Sequence, residues 1–238
     1  MHPAPHPPKT LARAGLCGLR PGALALALAT LTLPATAATL ELRVTDREGK
    51  PAPDVVVLVD TTTPMPSAPP PETATILQQG SRFEPALTVV RAGATVRFVN
   101  HDGYDHHVRS VPSGPLGATP PARSFELRQG PAGHRRKADS APAVAEERFN
   151  TPGPVGLGCH LHSTMRGHIY VAATPFFGKT DEHGFVRIAG LPEGRASLTL
   201  WHADQLLEQL PQTLTLAQST VLATAALNFT PPPPRRRR

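Results

Sequence analysis

An all-β protein is what this sequence predicts, and three observations carry the prediction. Its 238 residues include 29 prolines and 19 glycines, with few aromatics, a composition that favours many turns and short strands over long helices. Apolar and polar residues alternate over short runs such as Thr39–Val44 and Thr95–Val99, the period of a half-buried strand. Turn formers punctuate those runs at Asp46–Lys50, Ala92-Gly93, Thr180–Gly184 and Leu191–Gly194. The length allows one large β domain or two small ones.

Residues 1–37 read as an export signal. Lys9, Arg13 and Arg20 form a cationic start without any acid, Leu24–Leu33 is a short apolar stretch, and Ala35-Thr36-Ala37 is a small-residue cleavage pattern. The stretch is too short to span a bilayer comfortably, so the expectation is a periplasmic chain with no integral membrane span after cleavage. Those three cations would leave with the signal, taking the formal charge from +6 to +3, and Arg235–Arg238 account for more than the whole remainder. The body is therefore close to neutral, its basic residues are scattered, and nothing supports a nucleic-acid partner. Of the two cysteines, Cys17 departs with the signal and Cys159 is left alone. A single thiol in an oxidising compartment is a liability unless buried, catalytic or ligated to metal.

From residue 38 to 60, Thr39–Val44 and Asp54–Asp60 read as strands around the Asp46–Lys50 turn, and the Pro, Ser and Thr content of 61–74 reads as a linker. Over 75–173 the strand signals run from Ile76 through Phe83-Glu84-Pro85, Leu87–Val90 and Thr95–Val99, then His107–Val111, Ser124–Leu127 and His168–Ala172. Gly130–Val144 lacks any period and reads as a mobile surface loop. Over 174–229, Phe185–Ile188 and Ala196–Trp201 are strands bounded by turns. From Asn228 onward the chain reads as a disordered tail, with the Pro/Arg segment at 230–238.

Chemistry concentrates at Cys159-His160-Leu161-His162-Ser163-Thr164-Met165, a C-x2-H-x2-M pattern. Thiolate, imidazole and thioether are soft or borderline ligands, a set that selects copper over magnesium or calcium. A second imidazole from upstream would complete a trigonal Cys-His-His plane with a weak axial methionine, and Asn100–His107 supplies the candidates. The spacing alone also fits chance. Three additions favour the metal: Phe83-x-Pro85 ahead of a strand, turn and strand ending at Asn100; the Asn100-to-His106 interval; and Met165-x-Gly167 running into a strand.

With those residues in view, Ile76–Val171 resembles the cupredoxins, with amicyanin-type ligand-loop spacing. Asn100-His101-Asp102, His106-His107-Val108, Pro152-Gly153, Leu157-Gly158-Cys159, His162, Met165, Gly167 and Ile169-Tyr170-Val171 together resemble the cupredoxin-domain proteins called methylamine utilisation proteins. That likeness continues through Thr174–Phe177, Lys179-Thr180-Asp181, Leu191-Pro192 and Trp201-His202. It implies a Greek-key β-sandwich, one mononuclear type 1 copper per chain, ligands His106, Cys159, His162 and axial Met165, and one-electron transfer to a redox partner protein rather than enzymatic turnover. The plastocyanin and amicyanin pattern puts the upstream ligand at His106; successive strand residues face opposite ways, so His107 would face away and brace the ligand loop. Ser163-Thr164 stands where the relatives have an aromatic, and Gly158 leaves no bulky neighbour beside Cys159. Separately, Val44-Thr45-Asp46 to Val59 and Thr180–Gly194 resemble the two parts of a carboxypeptidase regulatory-like, transthyretin-like β module, into which the cupredoxin would be inserted.

The other histidines read more plainly. His160 would alternate away from the metal; His168, His183 and His202 read as strand and turn residues; His101 stays open. Gly-rich phosphate loops, G-x-S-x-G elbows, C-x-x-C-H haem signals and zinc-type cysteine pairs do not occur. The rival to an electron carrier is a protein that stores or delivers copper.

Overall fold

The computed structural model describes residues 37–63, 70, 72–133, 143–217 and 219–232, and the regular structure in them is all strand. β1 (Ala38–Thr45) and β2 (Val56–Thr61) come first. β3 (Thr73–Gln78), β4 (Phe83–Glu84), β5 (Leu87–Arg91), β6 (Ala94–Asn100), β7 (His106–Val111), β8 (Glu126–Gln129), β9 (Val144–Phe149), β10 (Gly153–Cys159) and β11 (Arg166–Ala172) follow. β12 (Phe177–Lys179), β13 (Phe185–Leu191), β14 (Gly194–Trp201), β15 (Gln212–Leu216) and β16 (Thr220–Ala226) close the chain.

Strand β1 alternates as its sequence requires, burying Ala38, Leu40, Leu42 and Val44. It sits between β13, antiparallel, and β16, parallel, in a sheet of order β13-β1-β16. Facing it is the sheet β12-β2-β14-β15, where β2 pairs antiparallel with both β12 and β14. Two threonines fasten the early strands to the late ones: Thr180 Oγ1 accepts from Val55 N–H (2.9 Å) and donates to Ala52 C=O (2.8 Å), while Thr174 Oγ1 donates to Val59 C=O (2.8 Å). The Asp46 and Asp181 turns share one construction, in which a carboxylate oxygen accepts two N–H groups just ahead in the chain. At Gly184, φ is +71° and a Cβ would lie 2.3 Å from Val44 O, so no side chain fits.

A second pair of sheets, β5-β11-β10-β7-β8 and β4-β3-β6-β9, encloses a separate core with Ile76, Phe98, Phe149, Val155, Leu157, Ile169 and Val171 at its centre. Between the two pairs lies a third cluster of Val56, Leu58, Leu87, Ala172 and Trp201. Strand β2 thus has both faces covered, Val57 and Val59 inward and Val56 and Leu58 toward β5 and β11, which explains its unbroken Val-Val-Leu-Val run.

Several details differ from the sequence expectation. β3 begins at Thr73, inside the stretch read as linker, because its first residues pair with β6 although half-exposed. β8 lies two residues beyond the expected Ser124–Leu127 strand, since Ser110 Oγ holds Phe125 N–H and the ladder with β7 runs from Glu126 to Gln129. β9, β12, β15 and β16 were not anticipated: β9 carries its charges outward with only Phe149 fully buried, and the others are short or weakly alternating. The segment read as tail is placed from Asn228 to Pro232, with Asn228 N–H on Gln209 Oε1 (2.8 Å) and Phe229 against the first core. The export signal up to residue 36, half of the linker, residues 134–142 of the expected loop and the arginine run lie outside the described residues. Among the described residues no helix is long and apolar enough to cross a membrane.

Candidate metal centre

The ligand loop is the connection of the β10–β11 hairpin. Leu157 pairs with Gly167 and Gly158 with Arg166, leaving Cys159–Met165 to close the turn. Cys159 N–H donates to Met165 C=O (3.3 Å) and Met165 N–H to His162 C=O (3.0 Å), which draws the loop tight. On its other side β10 pairs with β7, with Cys159 opposite Val108. Alternation along β7 buries His106 and Val108 and turns His107 outward.

These constraints converge on one point. His106 Nδ1 lies 3.7 Å and His162 Nδ1 3.5 Å from Cys159 Sγ. The three potential ligand atoms fall within 4.8 Å of one another, the one such cluster found among the described residues. His106 and Cys159 are buried and His162 is half-buried; Met165 is buried in the same apolar core as Cys159. Two imidazoles beside a thiol that is set in an apolar core form a soft donor set suited to copper, and the closed loop holds it in place.

His107 acts through its backbone. Its N–H donates to Cys159 Sγ (3.4 Å) and its C=O accepts from His160 N–H (2.8 Å), bracketing the start of the loop. Its side chain turns away to pair with Glu126, 5.6 Å ring to ring from exposed His160. His101 is exposed and gives its N–H to Gln78 C=O (2.9 Å); His183 is exposed at its turn. His168 and His202 lie elsewhere, His168 beside Trp201 (6.0 Å) and His202 beside Phe229 (5.8 Å). Burial lowers the pKa of both.

Three contributors were not identified from sequence. Asp102 Oδ2 lies 2.9 Å from His106 Nε2, while Asp102 accepts N–H groups of Gly80 (2.7 Å) and Ser81 (3.1 Å). Burial pushes its pKa up, but hydrogen bonds from Ser81, His106 and Gly80 outweigh it and hold the group below the usual carboxylate value. Asn100 frames the loop: its Nδ2 donates to Tyr104 C=O (2.8 Å) and Gly130 C=O (2.7 Å), and its Oδ1 accepts Asp102 N–H (2.8 Å). Tyr104 sets its ring 5.3 Å from His106 and 5.2 Å from His162. An aromatic thus does cover the histidines, from the 100–105 loop rather than from Ser163-Thr164. The space beside Gly158 is filled as well, since a Cβ there would lie 2.9 Å from Arg166 Nη1 and 3.2 Å from Val111 Cγ1. The loop offsets that create these contacts carry no periodicity, so only the Asn100–His106 cluster of polar residues hinted at them.

No protein-family model and no curated protein matches the chain. Among solved structures it is similar to a copper-containing nitrite reductase from Thermus scotoductus SA-01, at 20% identity over 43% of this chain with a TM-score of 0.34, and it spans only 23% of that chain. A reduced amicyanin variant is 22% identical over 45% of this chain and 96% of its own, with a TM-score of 0.29. A purple cupredoxin from Nitrosopumilus maritimus is 18% identical over 42% of this chain and 99% of its own, with a TM-score of 0.30.

Proposed function

We propose that this chain is a periplasmic cupredoxin holding one type 1 copper and passing single electrons to a partner protein. The observation that carries the reading is the convergence of His106 Nδ1, His162 Nδ1 and Cys159 Sγ within 4.8 Å. These three would hold the metal, with the Met165 thioether as a weaker fourth donor; when bound, copper would supply a one-electron couple. The chain's own part is to keep the donors still. The loop-closing bonds from Cys159 to Met165 and from Met165 to His162, and the clamp by the His107 backbone, fix the loop independently of any ligand. A geometry fixed in this way suits a couple whose two oxidation states must interchange with little rearrangement.

The surrounding chemistry supports carrying over catalysis. Cys159 and Met165 are braced by apolar packing and His106 by Asp102, a polar partner that is itself satisfied, which leaves little beyond His162 for a substrate to engage. The sandwich formed by β1, β2 and β12–β16 is then a non-catalytic companion of regulatory-like type. The test is to load the purified protein with copper and record its optical and spin-resonance spectra with a redox titration. An intense thiolate-to-copper band and a reversible one-electron wave are expected; exchangeable Cu(I) binding without a stable Cu(II) form would favour storage or delivery instead.

A further inference from the structure

We propose that Asp102 is a positioning residue that sets the potential of the site, its carboxylate making His106 the stronger of the two imidazole donors and favouring the oxidised metal. This rests on the copper reading above.

His106 turns Nδ1 toward Cys159 and leaves Nε2 facing Asp102 Oδ2 at 2.9 Å, with the two side chains 0% and 9% exposed. With Nδ1 committed to the ligand cluster, Nε2 is the nitrogen that carries hydrogen, and it donates to the carboxylate. A bond to an ionised acceptor is roughly twice as strong as one to a neutral carbonyl, and it pushes electron density into the ring.

The carboxylate is held for this purpose by the turn between β3 and β4. Gly80 and Ser81 have φ of +59° and +55°, and both aim their N–H groups at Asp102. Successive residues in such a conformation form a concave anion site. A left-handed serine is uncommon, and here it supplies one of the two backbone donors that fix the acid. Asn100 holds the other side through Asp102 N–H, so the acid can neither swing away nor reach water freely. His162, half-exposed on the ligand loop, forms no ion pair among the described residues. The two imidazoles are therefore unequal by construction.

A negative charge behind one ligand stabilises Cu(II) more than Cu(I). Asp102→Asn keeps the shape and, with its oxygen in the place of Oδ2, an acceptor for Nε2–H and Ser81 N–H, while removing the charge and the acceptor for Gly80 N–H. It should move the Cu(II)/Cu(I) equilibrium about tenfold toward Cu(I), a rise of about 59 mV for a one-electron couple. Asp102→Glu retains the charge and should stay within about threefold of the wild type if its longer stem still reaches the turn; a merely structural role would make Asn and Glu shift alike.

The experiment is a redox titration of the copper-loaded wild type and both variants, with the thiolate band read in parallel. Presence of the band, a raised potential in Asp102→Asn and near-restoration in Asp102→Glu establish the role. A normal band with an unchanged or lowered potential in Asp102→Asn overturns this inference while leaving the copper reading intact; absence of any band in the wild type overturns the copper reading itself. Should Asp102→Asn fail to fold, nitrogen NMR of the zinc-loaded wild type decides: a low-field, slowly exchanging His106 Nε2 proton is expected, and an unprotonated Nε2 overturns the proposal.

Discussion

Replacing His106 and His107 in turn by alanine separates two neighbours that sequence alone makes almost interchangeable. His106→Ala removes a proposed ligand and also the ring that donates to buried Asp102. Losing a hydrogen bond to a charged group costs about 1.5–3 kcal/mol, and the void in a packed wall adds to it. For a chain of this size that corresponds to a fall of roughly 5–10 °C in the melting temperature of the copper-free protein. His107→Ala removes the pairing with Glu126, whose side chain is 60% exposed and which contributes about 1 kcal/mol or less, together with the packing of a ring that is 12% exposed. Its backbone clamp on Cys159 and His160 is untouched. Copper loading followed by visible absorption, with thermal melts of both copper-free variants, gives the comparison. His106→Ala should lose the normal blue spectrum and His107→Ala should keep it. The reverse pattern would refute the register assigned to β7.

Cys159→Ser should bleach the copper-loaded protein while leaving the far-ultraviolet circular dichroism of the sandwich in place; an unchanged visible spectrum would contradict the thiolate assignment. Met165→Leu removes the proposed axial thioether at nearly constant volume and should raise the potential, and a fall would count against Met165 as a donor. His168 and His202 have pKa values lowered by burial, so as pH drops through about 6.5 the unfolded chain takes up protons that the folded chain resists, and stability falls. Melting temperatures of the copper-free protein from pH 8 to pH 5 should decline, with a shallower slope in a His168→Gln/His202→Gln variant; the same slope in both would exclude these two groups as its source. A chain beginning at Glu72 lacks β1 and β2 and should lose amide protection across β13, β14 and β16, whose ladders those strands complete, while the thiolate band largely persists; full protection in the shortened chain would contradict the pairing.

What could be read from the sequence depended on how strongly burial imposed a period. Strands β1 and β6 bury every second residue and announce themselves, and the Asp46 and Asp181 turns carry glycine where a positive φ is needed. β9 and β16 gave no such signal because they lie on sheet edges with most of their residues in contact with water. β2 could be read as a strand from its valines, but its double burial depends on β5 and β11 and is not written in β2 itself. The motif Cys159-x-x-His162-x-x-Met165 was legible because its thiol, imidazole and thioether fall within a single hairpin loop. Asp102 and Tyr104 were not, since each reaches the site through a loop whose path is set by Asn100 side-chain bonds rather than by any repeat.

One strand joins the site to the rest of the chain. β11 begins immediately after Met165, turns Ile169 and Val171 into the core that surrounds Cys159, and presents Tyr170 and Ala172 to the opposite side. There Tyr170 meets Trp201 of β14 at 5.0 Å, and Ala172 packs in the cluster with Val56 and Leu58 of β2. The face of β11 that would otherwise be an exposed apolar strip is thus covered by the second sandwich, and its inner face is free to serve the site. Core packing resists displacement of even a methylene, and β11, packed on both faces, begins where the Cys159–Met165 loop ends. The second sandwich therefore covers the outer face of β11, while the inner face packs with Cys159 and Met165 in the core beside the His106–Cys159–His162 cluster.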